Sequence, residues 1–274
     1  MTTSPSPAED FVGYLRSYTD KAFDRGLSVG EVWDQYHTPN GIHTVNHEVR
    51  DRPAVLKSMS KWRSDRTPYD LQIHEAIVDG RRAAARYTVS RALLMQVRYT
   101  TEVWIFADLA EDGRVASTVS TARMTYGWGR PEGETWDGDA RPVREAGTSA
   151  ALSPVEYLTT FARLSSDEGI PVADAYDRFH TADAVQYING VGMQRPAVLA
   201  ALTESRAMGI FYDLEISASL SEEDRFAVRY RMVPTGKSSS LGELEVFCFG
   251  EFAGDGRVRL LRSVMQTRSG YWPT

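Results

Sequence analysis

The chain has 274 residues, a length open to two ordinary domains or one large one. Its 42% hydrophobic and 25% charged content is that of a folded globular protein. The 37 acidic side chains against 31 basic ones give a net charge of −6, which speaks against a nucleic-acid surface, because phosphate contacts need clustered Lys and Arg.

A single cysteine, Cys248, excludes an intrachain disulfide and a cysteine metal cluster. No apolar run approaches the roughly 20 residues of a membrane span, and Met1 to Asp10 lack the basic start and apolar run of a signal peptide. A cytoplasmic protein with neither membrane nor nucleic-acid partners is expected. In chain order, residues 11–25 and 29–38 have helical spacing, with Phe11, Tyr14, Leu15, Tyr18 and Ala22 as the apolar stripe of the first. A short strand is predicted near 43–48, then a helix over 52–64 opened by Pro53 at a first-turn position. Four strands follow, at about 69–78, 81–91, 97–107 and 114–124, with hairpin turns at Asp79-Gly80 and Asp112-Gly113. Helices followed by an antiparallel meander make the fold class α+β.

The second half repeats the first. Arg52-Pro53-Ala54-Val55-Leu56 returns as Arg195-Pro196-Ala197-Val198-Leu199, an offset of 195 − 52 = 143. That offset also carries Tyr14-Leu15 onto Tyr157-Leu158, His37-Thr38 onto His180-Thr181, Arg86-Tyr87 onto Arg229-Tyr230 and Asp112-Gly113-Arg114-Val115 onto Asp255-Gly256-Arg257-Val258. About 32 of the 104 positions from 12 to 115 are identical, without a gap. A tandem duplication is therefore expected, with one domain at 1–125, a second at 153–274, and a linker at 126–152 rich in Gly and Pro. Trp128 and Trp136 suggest that the linker is docked.

Strand alternation groups Thr100, Glu102, Trp104 and Phe106 on one face, with Val103 and Ile105 on the other. In the second copy Glu243, Glu245, Phe247 and Phe249 share the first face, with Val246 and Cys248 opposite. Arg86 and Arg229 stand on the neighbouring strands. A repeated carboxylate between aromatics, steadied by Arg, is the most chemical-looking pattern in the chain, and it is expected to face a pocket. The same residues also suit a structural reading, a buried Arg–Glu pair that neutralises itself.

The element order resembles the SnoaL-like superfamily. So do the aromatic-His-Thr-x-Asn/Asp turn after the second helix and the Gly-Arg-Val turn before the last strand. This is the fold group of nuclear transport factor 2, ketosteroid isomerase, limonene epoxide hydrolase and polyketide cyclases. Gln186-Tyr187-Ile188-Asn189, Arg229 and Pro234-Thr235-Gly236-Lys237-Ser238 are similar to the epoxide hydrolase pattern. The resemblance implies two cone-shaped α+β barrels, each a curved, mainly antiparallel sheet around helices with an apolar pocket, paired as an intrachain pseudo-dimer. It implies that Glu102 and Glu245 stand where ketosteroid isomerase holds a protonated acid, a carboxyl kept neutral by its surroundings. Arg86 and Arg229 match the hydrolase arginine, Asn46 and Asn189 its water-holding asparagine, and Tyr187 its tyrosine. Trp104, Phe247, Tyr18, Glu243, Ser120 and Ser263 complete the expected substrate contacts. The hydrolase's two aspartates fall at Thr88 and Ser120 in one copy and at Arg231 and Ser263 in the other, so hydrolysis through those carboxylates is not expected.

His37 and His180 repeat in register at the end of the second helix, where a histidine caps carbonyls. His43, His47 and His74 have Gln186, Gly190 and Ser217 as counterparts, so a single active copy would be the first. His74 is expected to face away from the core. His43 and His47 lie on a strand and turn, where their spacing does not present a metal pair. Cys248 aligns with Ile105 and reads as a small buried hydrophobe. No phosphate loop or nucleophile elbow is present, so no cofactor is expected. The functional expectation is a cofactor-independent cyclase, isomerase or dehydratase acting on a mostly apolar, polyketide-like metabolite. The alternatives are an epoxide-opening enzyme with altered residues, or a non-catalytic binding or scaffold protein.

Overall fold

A computed structural model describes residues 10–64, 69–92, 98–126, 152–235 and 241–267. The chain divides into two compact units. The first is built from α1 (Phe11–Phe23), α2 (Val29–Tyr36), β1 (His37–Val45), β2 (Glu48–Arg50), α3 (Arg52–Ser64), β3 (Tyr69–Asp79), β4 (Arg82–Ala92), β5 (Arg98–Leu109) and β6 (Val115–Tyr126). The second repeats the order with α4 (Pro154–Ser166), α5 (Val172–Phe179), β7 (His180–Ile188), β8 (Val191–Gln194), α6 (Arg195–Ala207), β9 (Phe211–Glu222), β10 (Arg225–Thr235), β11 (Leu244–Phe252) and β12 (Val258–Thr267). The expected linker, with Trp128 and Trp136, lies outside the described residues. Among the described residues no helix is long and apolar enough to cross a membrane.

Each unit is a six-stranded mixed sheet, ordered β2-β1-β6-β5-β4-β3 and β8-β7-β12-β11-β10-β9. The β3–β6 and β9–β12 stretches are antiparallel meanders, while β1 joins β6, and β7 joins β12, in parallel. The first strand begins earlier than the sequence suggests, at His37 and not near 43. The reason is that pairing His37 with Val115 and Ile42 with Ser117 absorbs the Thr38–Gly41 stretch in an irregularity of the ladder. The third strand also carries a bulge, because Ile73 pairs with Tyr87 and Glu75 with Arg86, leaving His74 as the extra residue. Ser217 occupies the same bulge in the second unit.

Local chemistry sets the ends of these elements. Asp10 Oδ1 accepts from the Gly13 amide at 2.7 Å, and Ser153 forms a reciprocal capping box with Glu156. The β1–β2 turn needs two consecutive left-handed residues, met by Asn46 (φ 49°) and His47 (φ 67°) and in the second unit by Asn189 and Gly190. Arg63 and its repeat Arg206 donate to the carbonyls that end α1 and α4, so α3 and α6 are tied to them by the same device.

The helices cover one face of each sheet. In the first unit Ala83, Ala85 and Tyr87 of β4 and Ile105, Ala107 and Leu109 of β5 pack against Tyr14, Leu15, Trp33, Tyr36 and Met59. In the second, Phe226, Val228 and Tyr230 of β10 and Val246, Cys248 and Phe252 of β11 pack against Tyr157, Leu158 and Phe179. The two units divide the bulk differently. Ala83 and Ala107 face each other in register where the second unit has Phe226 over Gly250. Trp33 lies over Gly41, where the second unit has Tyr176 and Ala184.

Candidate functional site

Glu102 and Glu245 sit on the sheet face turned away from the helices. Pleating decides this: Thr88 is paired with Glu102, Arg86 with Trp104 and Ala84 with Phe106, whereas Ala85, Ile105 and Ala107 on the alternate positions belong to the helix-covered core. The expected grouping of Glu102, Trp104 and Phe106 on one face is present, but that face is not the helix side, where an enclosed apolar interior would lie. Arg and Glu do meet. Arg86 donates to Glu102 at 3.3 Å and to Glu75 at 2.6 Å, and Arg123 donates to Glu102 at 2.7 Å. Arg86 and Glu102 are 4% and 5% exposed, so the network is a desolvated one whose partners satisfy one another. In the second unit Arg229 pairs with Glu245 at 3.1 Å, while Arg231 bridges Glu215 and Glu243. Two arginines donate to Glu102, so its carboxyl is taken up as the anchor of this network.

The other expected contacts divide between the two faces. Trp104 is buried beside Arg86, whose guanidinium lies 5.3 Å from the indole, and Phe247 is buried at the matching position of β11. Tyr187 stacks with Arg262 at 5.7 Å. Asn46 does not present its amide to a pocket: its Oδ1 accepts from the Ala122 amide at 2.8 Å and its Nδ2 donates to the Ala122 carbonyl at 2.9 Å. Asn189 likewise accepts from the Met265 amide at 2.8 Å. These asparagines pin a turn to the last strand of each sheet, and the left-handed backbone at that position explains why the residue is Asn twice. Ser120 and Ser263 do lie on the helix side, paired with Ile105 and Cys248. Each donates to a carbonyl of the neighbouring strand, Thr44 at 3.3 Å and Tyr187 at 3.4 Å. Tyr18 lies on the helix side too, its hydroxyl directed at Met59 Sδ, 3.7 Å away. His74 bonds Thr88 Oγ1 at 3.1 Å, on the face away from the helices, as expected.

The helix side carries titratable groups that strand patterning did not single out. Tyr14 Oη lies 3.3 Å from His37 Nε2, and its repeat Tyr157 lies 2.9 Å from His180 Nε2, with all four side chains buried. His37 and His180 end their helices, as anticipated, and His180 Nδ1 meets the Tyr176 carbonyl at 3.1 Å. Burial holds His37 well below the usual imidazole range, with neighbouring His43 adding to it, and burial lowers His43 and His180 to about 4. These imidazoles are therefore neutral near pH 7. Burial also raises Tyr14 and Tyr157 well above the phenol range and pushes Tyr87 up to about 12, so these hydroxyls stay protonated and act as hydrogen-bond donors. The clue to this pair was present in the repeat, since Tyr14 and His37 both survive the 143-residue offset.

No known protein family and no curated protein matches the chain by sequence. Solved structures that it is similar to are a SnoaL-like family protein from Agrobacterium tumefaciens, a designed NTF2-fold protein and a steroid delta-isomerase from Pseudomonas aeruginosa. The Agrobacterium protein is 8% identical with a TM-score of 0.34, covering 41% of this chain and 96% of its own. The designed protein is 17% identical with a TM-score of 0.33, over 43% and 89%. The steroid isomerase is 20% identical with a TM-score of 0.30, over 42% and 78%. Each likeness spans 41–43% of this chain, about the extent of one of its two α+β units.

Proposed function

We propose that the protein is a cofactor-independent enzyme that moves a proton on a mostly apolar, oxygen-bearing small molecule, in an isomerisation, cyclisation or dehydration of a polyketide-like compound. The observation that carries this reading is the Tyr14–His37 contact on the helix side of the sheet, a phenol and a neutral imidazole held together in an apolar core. A phenol that stays protonated supplies a hydrogen bond to an oxygen on which charge develops. A neutral imidazole beside it can accept a proton and return it, help worth roughly 10²–10⁴-fold. Glu102 and Glu245 hold their arginines and serve the frame of the sheet.

Turnover of an enolisable polyketone and of a β,γ-unsaturated ketone, followed by ultraviolet absorbance as conjugation forms, tests this. His37→Gln is expected to lower the rate at least 100-fold, while Glu102→Gln, provided it folds, keeps it. Loss of turnover in Glu102→Gln with an unchanged unfolding transition would return the chemistry to the far face of the sheet. A second reading, a non-catalytic binding or scaffold protein, has one observation in its favour. In the second domain His180 is engaged at both nitrogens, by Tyr176, Tyr157 and Gln186. A protein inactive on every such ketone, and unchanged by His37→Gln in stability and ligand binding, would favour it.

A further inference from the structure

The two domains differ at one cluster beside the Tyr–His pair, and the difference runs through three aligned positions. In the first domain Trp33 stacks on His37 with ring centroids 4.2 Å apart, and His43 lies 4.9 Å from Trp33 and 4.8 Å from His37. Thr118 of β6 is the register partner of both His43 and Ala107, so its hydroxyl shares the helix-side face with them. Four polar atoms here are buried without a protein hydrogen-bond partner among the described residues: Trp33 Nε1, His37 Nδ1, His43 Nε2 and Thr118 Oγ1. Trp33 is fully buried and Thr118 is 4% exposed, whereas His43 is half-buried and gives the cluster a side toward solvent. Leaving such groups unsatisfied costs free energy, so their persistence together calls for a partner molecule.

The second domain has removed two of these demands. Gln186 replaces His43 and donates its amide to His180 Nε2 at 3.1 Å, and Leu261 replaces Thr118, in register with Gln186. The Tyr176 carbonyl fixes the proton of His180 on Nδ1, so Nε2 is the acceptor and is already used by Tyr157 and Gln186.

We infer that the first domain alone carries the ligand site, with Trp33 Nε1, His43 Nε2 and Thr118 Oγ1 as its polar contacts, and that the second domain is a closed copy. The inference rests on the catalytic reading above and deepens it by naming the ligand class: neutral, largely apolar, and bearing a carbonyl or hydroxyl oxygen. The indole N–H can only donate, so it selects an oxygen acceptor. The threonine hydroxyl and the imidazole can each donate or accept, so they accommodate a hydroxyl or an enol beside it. No charged side chain belongs to the triad, and a carboxylate or phosphate ligand would enter this core without a counter-ion.

The test is a nuclear magnetic resonance titration of the full chain with 4-hydroxyacetophenone, reading the histidine ring nitrogens and the tryptophan indole signals. One molecule bound per chain, with shifts at Trp33 and His43 and none at His180, is expected. The variant carrying His43→Gln and Thr118→Leu, the second domain's own residues, should bind at least tenfold more weakly with the same urea midpoint. If that variant unfolds early, Thr118→Val removes only the hydroxyl and is expected to weaken binding about fivefold. Two molecules per chain, shifts at His180, undiminished binding in the variants, or no binding at millimolar probe would each overturn the inference. Because turnover is not the readout, binding at Trp33 and His43 without reaction on any ketone leaves the site assigned and defeats the catalytic reading instead. Turnover that survives His43→Gln and fails with His180→Gln defeats the site and leaves an enzyme.

Discussion

Gly250→Ala is expected to destabilise the second domain severely, and Phe226→Ala in the same chain is expected to cancel that effect. A β-carbon on Gly250 would stand 2.2, 2.6 and 2.8 Å from three atoms of the Phe226 ring, against ordinary carbon contacts of about 3.5–4.0 Å. The ring has little retreat, because Phe226 is fully buried with Phe252 at 4.7 Å and Tyr157 at 6.0 Å between centroids. Overpacking of this kind costs about 1–3 kcal/mol. Phe226→Ala alone leaves a cavity and costs about 3–5 kcal/mol. In that background a methyl at position 250 meets no ring, and Ala in a strand is favoured over Gly by about 0.5–1 kcal/mol. The double variant recreates the Ala83–Ala107 pair of the first domain, and the coupling energy should be about 2–4 kcal/mol in its favour. Urea unfolding followed by circular dichroism gives the four stabilities, and amide exchange at Val228 and Cys248 reports the second domain separately. A Gly250→Ala cost that is the same, within about 0.5 kcal/mol, in both backgrounds would refute the reasoning.

Gly41→Ala should behave similarly in the first domain, where the new methyl would lie 3.1 Å from the Thr38 carbonyl oxygen and 3.3 Å from Trp33 Cζ2. Trp33→Tyr, the second domain's pairing with Ala184, should recover part of the loss in a thermal melt, and no recovery would contradict the account. Arg86→Ala is expected to cost about 3–5 kcal/mol by taking the shared guanidinium away from Glu75 and Glu102, and Arg229→Ala clearly less, since Arg229 is 21% exposed; equal losses in urea would count against the network. His180 makes stability acid-sensitive: above pH 6.5 it is neutral in both states, and between 6.5 and about 4 only the unfolded chain takes the proton. Stability should therefore fall by up to about 3 kcal/mol over that window, from (6.5 − 4) × 1.36, and level off below it for this group; a second-domain stability flat from pH 7 to 4.5 would exclude a buried neutral ring.

Much of the fold could be read from the chain because duplication gives each element two independent spellings. The Arg-Pro-Ala-Val-Leu start of α3 and α6 and the Asp-Gly-Arg-Val turn are legible for this reason. The orientation of β5 was not. Trp104 and Phe106 on one side and Val103 and Ile105 on the other are all apolar, so alternation separates the faces without saying which meets the helices. The small residues Ala83 and Ala85 opposite large helix side chains are what mark the helix side, and that signal needs both layers at once. The early start of β1 was hidden for a related reason, since Thr38-Pro39-Asn40-Gly41 reads as a turn until the distant β6 is there to pair with it. The resemblance matches Asn46 to a water-holding asparagine, while a left-handed turn residue bonded to the last strand carries the same letter. The Tyr14–His37 contact lay 23 positions apart, beyond any local period.

The parallel ladder between the first and last strands of each sheet also orders events during synthesis. β1 is made about 75 residues before β6, so α1 to α3 and the β1–β2 hairpin must wait with an unpaired strand edge until the meander arrives. Closing so distant a pair is slow by chain-entropy arguments. The second domain repeats the delay with strands of similar pattern, which sets up a competition in which β1 meets β12, or β7 meets β6, before its proper mate. Divergence along this seam, His43 with Thr118 in one domain and Gln186 with Leu261 in the other, makes the proper mates chemically distinct.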